Sequence, residues 1–492
     1  MKRFLTSLAA IGALLGFSEA ADAKLNFVFL LADDLGYMDV GFNNPDTFYE
    51  TPNLDNLAAG AMVFTDFYAA SQVCSPTRAS ILTGKYPARL DLTNFSGGRR
   101  NGKFEAAEFE TAMPLEELTL AEALKEAGYQ TFFAGKWHLG DAEHGPETQG
   151  FDINKGGGSN GLPRSYFSPY KNVTNLPQGP DGEFLTSRLA EESEKFLDLA
   201  AGSGDPFLLY LSFYSVHTPL QAPKNLIEKY RKKAKRLGID DDGDSFERGR
   251  ERQVWPDTKE ERKVRIRQDH ATYAAMVESL DTAVGRVLGR LDALNLREST
   301  AVVFVSDNGG LSTSEGHPTS NLPLRGGKGW IYEGGVRTPA VVRWPGVTAA
   351  GMQCPAPAVS TDFYPTMLEM AGLPLRKDQH VDGVSLVPFL KNPFSKFDRG
   401  PIFFHYPHYS NQGGFPASAV RQGDHKLIQD LEDGYYELYD VATDLEEHNN
   451  LEQLEPEKLE ELAEALDSWR REVDAKPLRK NSETGADPPE LW

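Results

Sequence analysis

The run Cys74-Ser75-Pro76-Thr77-Arg78-Ala79-Ser80-Ile81-Leu82-Thr83-Gly84 puts a thiol and a guanidinium beside a helix start. Ser75 is a favoured N-cap and Pro76 suits the first helical position, so Cys74 is predicted just outside a helix N-terminus. Unpaired N–H groups and the positive end of the helix dipole favour an anion there. Arg78, less than one turn in, adds charge to the same spot. The chemistry this predicts is a nucleophile at Cys74 beside a seat for a tetrahedral oxyanion. Taken alone, the thiol has two readings: a buried structural Cys, or a thiolate whose pKa the helix end lowers.

Oxygen donors gather in two other places. Asp33-Asp34 follow the apolar run Leu25 to Leu31, and Ser306-Asp307-Asn308 follow Ala301 to Val305. Carboxylates and amides suit a hard cation such as Ca²⁺ or Mg²⁺. An Asp pair after a strand is more often a turn or a cap. Together with Asp307-Asn308-Gly309-Gly310 it reads as a four-residue cage. Lys136 and His138 lie two apart in Gly135-Lys136-Trp137-His138-Leu139-Gly140, so an extended segment points both to one face. His217 lies in Ser215-Val216-His217-Thr218-Pro219 and Lys328 in Arg325-Gly326-Gly327-Lys328-Gly329-Trp330. A lone His or Lys in a glycine-rich loop is ordinarily structural or simply exposed.

Positioning these groups is the work of an α/β scaffold. Leu25 to Leu31 is nearly continuous in apolar residues, as in a buried parallel strand. Open α/β sheets seat their ligands at the C-terminal ends of strands. Gln130 to Ala134, Phe207 to Phe213 and Ala301 to Val305 read as further strands. Thr51 to Gly60, Leu118 to Ala127 and His270 to Leu294 read as helices. Residues 224–268 are dense in charge and predict a solvated, partly helical surface insertion, with a polyanion-binding patch as the alternative. From residue 396 the pattern changes. Phe403-Phe404, Lys426 to Gln429 and Tyr435 to Tyr439 predict short antiparallel strands, and Glu455 to Val473 a charged helix. The predicted organisation is a catalytic domain over 24–395, a C-terminal α+β unit over 396–476 and a loose polar tail over 477–492.

Composition narrows the class. The chain has 492 residues, 40% hydrophobic and 25% charged, enough for one large core and a smaller unit. A formal net charge of −21 argues against a nucleic-acid partner. It does not exclude an anionic substrate, because screening acts over about 10 Å and the site can be locally basic. Lys2-Arg3, the apolar stretch Leu5 to Phe17 and small residues at Ser18-Glu19-Ala20 or Ala21-Asp22-Ala23 read as a signal peptide over 1–23, hence a secreted or periplasmic protein. That apolar stretch is too short to span a bilayer comfortably, and no later one is predicted to. A bridge between the only two cysteines, Cys74 and Cys354, would remove the proposed chemistry, so Cys354 is expected to be a free buried thiol.

The pattern Cys-x-Pro-x-Arg over 74–78, completed by Thr83-Gly84, resembles the signature of the formylglycine-dependent sulfatases. The segments around Asp33, Lys136, His217, Asp307 and Lys328 resemble that family's other motifs and occur in its chain order. The resemblance implies an alkaline-phosphatase-like fold: α/β, with a large mixed central sheet flanked by helices. It implies that a maturation enzyme oxidises Cys74 to formylglycine. It also implies that Asp33, Asp34, Asp307 and Asn308, with residue 74 beside them, hold one divalent ion, usually Ca²⁺. One hydroxyl of the hydrated aldehyde would then attack sulfur. His217 would protonate the leaving alcohol, Lys328 would hold sulfate oxygens, and His138 would take the proton that lets sulfate leave. Arg78 and Lys136 would stabilise the charge around residue 74.

Two rivals stand beside this. Phosphatases and phosphodiesterases of the same superfamily generally use two metals with His ligands, whereas Asp307 is followed here by Asn308. An inactive carbohydrate-binding relative is the other, although no motif residue is missing. Gly150 to Gly158, Ser165 to Tyr170 and His405-Tyr406-Pro407-His408-Tyr409 with Asn411-Gln412-Gly413-Gly414 look like bacterial polysaccharide sulfatases. A sulfated glycan, with a galactose-type sugar, is therefore the expected substrate. His405 and His408 are its expected contacts, with Thr319, Ser320, Asn321 and Arg325 as a facing wall.

Overall fold

The computed structural model describes residues 24–239, 245–249 and 262–492. The expected signal peptide and the middle of the charged insertion lie outside the described residues. An eight-stranded sheet forms the centre, in the order Met352–Cys354, Met62–Phe64, Ala340–Arg343, Thr300–Ser306, Asn26–Ala32, Phe207–Ser212, Gln130–Gly135 and Ile153–Lys155. The five strands from Thr300–Ser306 to Ile153–Lys155 run parallel, while Ala340–Arg343 is antiparallel to its neighbours. The sheet is mixed, as the family resemblance implies.

Register decides where the site lies. Ala32 pairs with Ser306, Leu31 with Ser212, and Ser212 with Gly135. Four strands thus stop on nearly the same rung, and the residues singled out for chemistry follow them: Asp33-Asp34, Asp307-Asn308 and Lys136 directly, and His217 five residues on. Gly135 has φ 103°, and a Cβ there would overlap the Ser212 carbonyl. Only glycine lets the chain turn off the strand at that point and deliver Lys136.

Helices cover both faces of the sheet. Leu185–Ser203 and Ala271–Ala293 pack on one, with Leu189, Val277 and Leu280 fully buried. Cys74–Thr83, Leu120–Glu126 and Phe363–Met370 pack on the other, around Phe29, Phe133 and Met367. Thr119 and Glu122 close a capping box on the second of these. The charged insertion begins as the helix Lys224–Leu237, whose Lys229 and Lys233 pair with Glu50 and Glu278. Among the described residues no helix is long and apolar enough to cross a membrane.

The C-terminal unit is a four-stranded antiparallel sheet, Ile402–Tyr406, Ala417–Gln422, His425–Asp430 and Tyr436–Asp440, with the helix Pro456–Glu472. Ala417–Gln422 was not anticipated, because Ala-Ser-Ala carries little strand signal. The tail is not loose. Glu105 and Arg479 exchange backbone hydrogen bonds, Leu478 is buried, and the Trp492 ring meets both His405 and Arg470. Cys74 and Cys354 are both free and buried.

Candidate active site

The helix that carries Cys74 starts at Cys74 itself, with Val73 as its N-cap. Ser75 therefore does not cap it. Its hydroxyl instead donates to the His138 carbonyl at 2.8 Å, which ties the helix start to the segment after Gly135. The Cys74 Sγ lies 3.4 Å from His138 Nδ1. Burial pushes the Cys74 thiol up from its ordinary value, against the pull of Lys136 and Lys328. That shift runs opposite to the one expected of a thiolate activated by a helix end.

Three carboxylates converge below this point, each matched to a buried cation. Lys136 Nζ donates to both oxygens of Asp33, at 2.9 and 2.8 Å. Lys328 Nζ lies 2.8 Å from Asp34 Oδ2, and Arg78 Nε 2.8 Å from Asp307 Oδ2. Arg78 also donates to the Lys136 carbonyl and to Ser212 Oγ, so one guanidinium links three strand ends. The Asp34 amide donates to Asp307 Oδ1 at 3.2 Å, and Asn308 Nδ2 to Asp34 Oδ1 at 2.9 Å. Burial works to raise the Asp34 pKa, but Lys328 and His217 hold it well below the usual carboxylate range.

The donor set suits a hard divalent cation. Asn308 Oδ1 is buried, and no donor reaches it among the described residues. A buried acceptor left this way is costly unless something else satisfies it. Asp33, Asp34 and His217 present ligand atoms within 4.8 Å of one another. Since three carboxylates are already balanced by three cations, an added divalent ion would leave a positive surplus where an anion binds.

Above the cluster opens a cleft of about 670 Å³, with Cys74, His138, His217 and Lys328 among its lining. Phe95, Arg164, Asn172, Glu315, Asn411 and Gln412 also face it. It shares Ser96, His138 and Ser159 with the wall of a second hollow of about 830 Å³, which also includes Asp91, Glu110, Glu116 and Asp141. His217 Nδ1 lies 3.0 Å from the Thr218 carbonyl and Nε2 lies 3.6 Å from Asp34. Burial, helped by Lys328, lowers the His217 pKa to about 4. Burial and Lys136 push His138 well below its ordinary value. Both environments thus favour the neutral imidazole.

Asp33, Asp34, Cys74, Arg78, Lys136, His138, His217, Asp307, Asn308 and Lys328 are thus brought together. The expected sugar contacts are not. His405 is locked between Ser418 Oγ at 2.7 Å and the Lys476 carbonyl at 2.9 Å. His408 is fully buried, with Nε2 2.7 Å from Thr93 Oγ1 and its ring against Phe109. Asn321 donates to the Gly310 and Gly326 carbonyls, and Thr319 to Asp39. Arg325 donates to Tyr439 and to the Glu447 carbonyl and stacks on Tyr332. Those side chains brace loops. The cleft is lined instead by Asn411 and Gln412, in the loop that follows His405 and His408, and by Glu315 and Arg164.

The family model described as "Sulfatase" matches residues 25–373. The chain belongs to the sulfatase family. A second model, "N-sulphoglucosamine sulphohydrolase, C-terminal", matches residues 327–474. This sulfatase is 32% identical over 427 residues to the N-acetylgalactosamine-6-sulfatase of Mus musculus, covering 82% of this chain and 72% of the relative. It is 30% identical over 512 residues to a sulfatase of Formosa agariphila, covering 88% and 85%. Among solved structures, that of Ps i-CgsB superposes with a TM-score of 0.72 at 28% identity, covering 91% and 92%. The protein is a sulfuric ester hydrolase with an alkaline-phosphatase-like fold.

Proposed function

We propose that this sulfatase releases sulfate from a sulfated carbohydrate, with Cys74 matured to formylglycine and one divalent ion, Ca²⁺, held by Asp33, Asp34, Asp307 and Asn308. One observation carries the proposal: Cys74 opens onto the cleft at a helix N-terminus, among Lys136, Lys328, His138 and His217 and above a hard-donor set with an orphaned amide oxygen. A buried protonated thiol is a poor nucleophile. Formylglycine, when hydrated, supplies a hydroxyl nucleophile and a route to expel sulfate, and a divalent ion supplies charge that stabilises the anion.

The chain's own residues do the rest. Lys328 lies in the cleft beside Asp34 and holds sulfate oxygens. His217 gives its proton to the leaving alcohol. With Nδ1 donated to the Thr218 carbonyl, Nε2 is the nitrogen that transfers it. The negative charge of the bound ester opposes the burial that keeps the ring neutral. His138, neutral and 3.4 Å from the residue 74 side chain, takes a proton there. Arg78 and Lys136 fix Asp307 and Asp33 and offset charge that builds in the reaction.

A glycan substrate is supported by relatives named N-acetylgalactosamine-6-sulfatase and by a 28% identical structure in complex with k-i-k-neocarrahexaose. A cleft of about 670 Å³ with a second hollow beside it suits more than one sugar unit. A galactose-type sugar, a secreted or periplasmic location and a maturation enzyme as partner belong to the same proposal.

The test is sulfate release from a panel of defined sulfated oligosaccharides, with aryl phosphate as control. The protein is made beside a formylglycine-generating enzyme, and the Cys74 peptide is examined by mass spectrometry. The expected result is the aldehyde or its hydrate, with activity lost on chelation and restored by Ca²⁺. Full activity with an intact thiol, or faster turnover of the phosphate, overturns the proposal.

A further inference from the structure

Glu315 is out of place in a cleft that otherwise gathers cations. It lines the same space as Lys328, His217 and Arg164, and its charge is felt at Lys328 and His217, where it favours the protonated form of each. A carboxylate there works against binding an anion. Loop-pinning alone does not account for the charge, since a neutral amide would pin the loop as well.

The side chain is nonetheless held with care. Its Oε1 accepts from Asn411 Nδ2 at 3.0 Å and from Gln412 Nε2 at 2.6 Å. Both donors come from the C-terminal unit. Glu315 has φ 51°, in the left-handed region, a conformation that costs a non-glycine residue free energy and persists only where neighbours enforce it. With both amides on Oε1, no described residue donates to Oε2. A carboxylate fixed at the wall of an anion site is offset only if the substrate brings a donor to it.

We propose that Glu315 is a specificity-determining residue of this site: its second oxygen accepts a hydrogen bond from a hydroxyl or amide N–H of the sulfated sugar, and its charge rejects a sugar that carries a second sulfate or a carboxylate at that position. This rests on the glycan-sulfatase reading above.

Glu315→Gln tests it. The amide oxygen can still accept from Asn411 and Gln412, which turns the NH₂ toward the cleft and replaces an acceptor with a donor. The substrates are pairs of oligosaccharides that differ only by a second sulfate on the target sugar. The readout is the kcat/KM ratio of singly to doubly sulfated substrate. We expect the ratio to fall at least tenfold in Glu315→Gln and to be kept in Glu315→Asp, which retains the charge. An unchanged ratio in Glu315→Gln overturns the proposal.

A second measurement needs no stable variant. In the wild-type protein, singly sulfated sugars with each free hydroxyl replaced in turn by hydrogen should include one that loses about ten- to a hundredfold in kcat/KM, the size of a desolvated hydrogen bond to a charged group. If no position does so, Glu315 reads no donor. Failure of the wild-type protein to release sulfate from any glycan ester would instead remove the reading on which this one rests.

Discussion

Lys136, Lys328 and Arg78 each face one buried carboxylate. Lys136 follows a strand end and Arg78 lies near a helix start, so their places along the chain point to chemistry, whereas Lys328, in a glycine-rich loop, is legible only through the sulfatase-like motif around it. The sugar-facing residues carried no such message. His405 and His408 have the chemistry to bind a sugar, yet one lies inside an antiparallel strand and the other is walled in by Thr93, Phe109 and Tyr406. Glu315 gave no signal because its role depends on Asn411 and Gln412, about a hundred residues away. Two predictions belong at this scale. His217→Ala should slow hydrolysis of a sugar sulfate by about 10²–10⁴-fold, the worth of a general acid. An activated aryl sulfate, whose leaving group needs no proton, should lose much less. Equal losses would mean that His217 binds sulfate rather than donates to the alcohol. Asn308→Ala should weaken Ca²⁺ binding, read by calorimetry, by at least about tenfold, since even residues behind a ligand are worth that much; unchanged affinity would exclude Asn308 from the donor set.

Apolar strands were the most legible elements, because buried parallel strands must be apolar on both faces. Helix starts were less so. Ser75 has the right chemistry for a cap, but the His138 carbonyl competes for its hydroxyl, and sequence cannot show a partner from another segment. The tail misled for a related reason: its polar residues hide a bridge from Arg479 to Glu105 and an aromatic contact from Trp492 to His405. That contact gives a pH prediction. In the fold, neutral His405 accepts from the Ser418 hydroxyl and donates to the Lys476 carbonyl, and burial lowers its pKa from 6.5 to about 3. Between those values the unfolded chain binds more protons than the folded one. The stability His405 contributes is therefore complete above about pH 6.5 and is lost as pH falls toward 3. His405→Gln, which can make both hydrogen bonds without titrating, should flatten the fall in Tm between about pH 7 and pH 5. An identical slope in the variant would show that His405 does not titrate on unfolding.

The molecule as a whole closes over buried charge. Lys426 of the C-terminal sheet donates to Glu333 and Glu447, both at 3.0 Å, and Arg421 reaches Asp66 of the main domain. The second family model begins at residue 327, one residue before Lys328, and runs across the predicted boundary at residue 395. Backbone contact seals the junction: a Cβ on Gly414 would overlap the Gly329 carbonyl, next to Lys328. Gly414→Val should therefore lower Tm by several degrees, as overpacking of about 1–3 kcal/mol does, and should cut turnover of glycan and aryl substrates alike. A variant with wild-type Tm and activity would show that the junction yields freely.

The grip of Asn411 and Gln412 on Glu315 separates two kinds of inheritance within one site. In the proposed reading the reacting groups belong to the main domain, and Glu315, which would inspect the sugar, is held by a loop of the other unit. On that reading, substitutions at Asn411 and Gln412 would retarget the enzyme to a differently decorated polymer while its reaction stays the same, a short route by which one ancestral catalyst diversifies across many glycans.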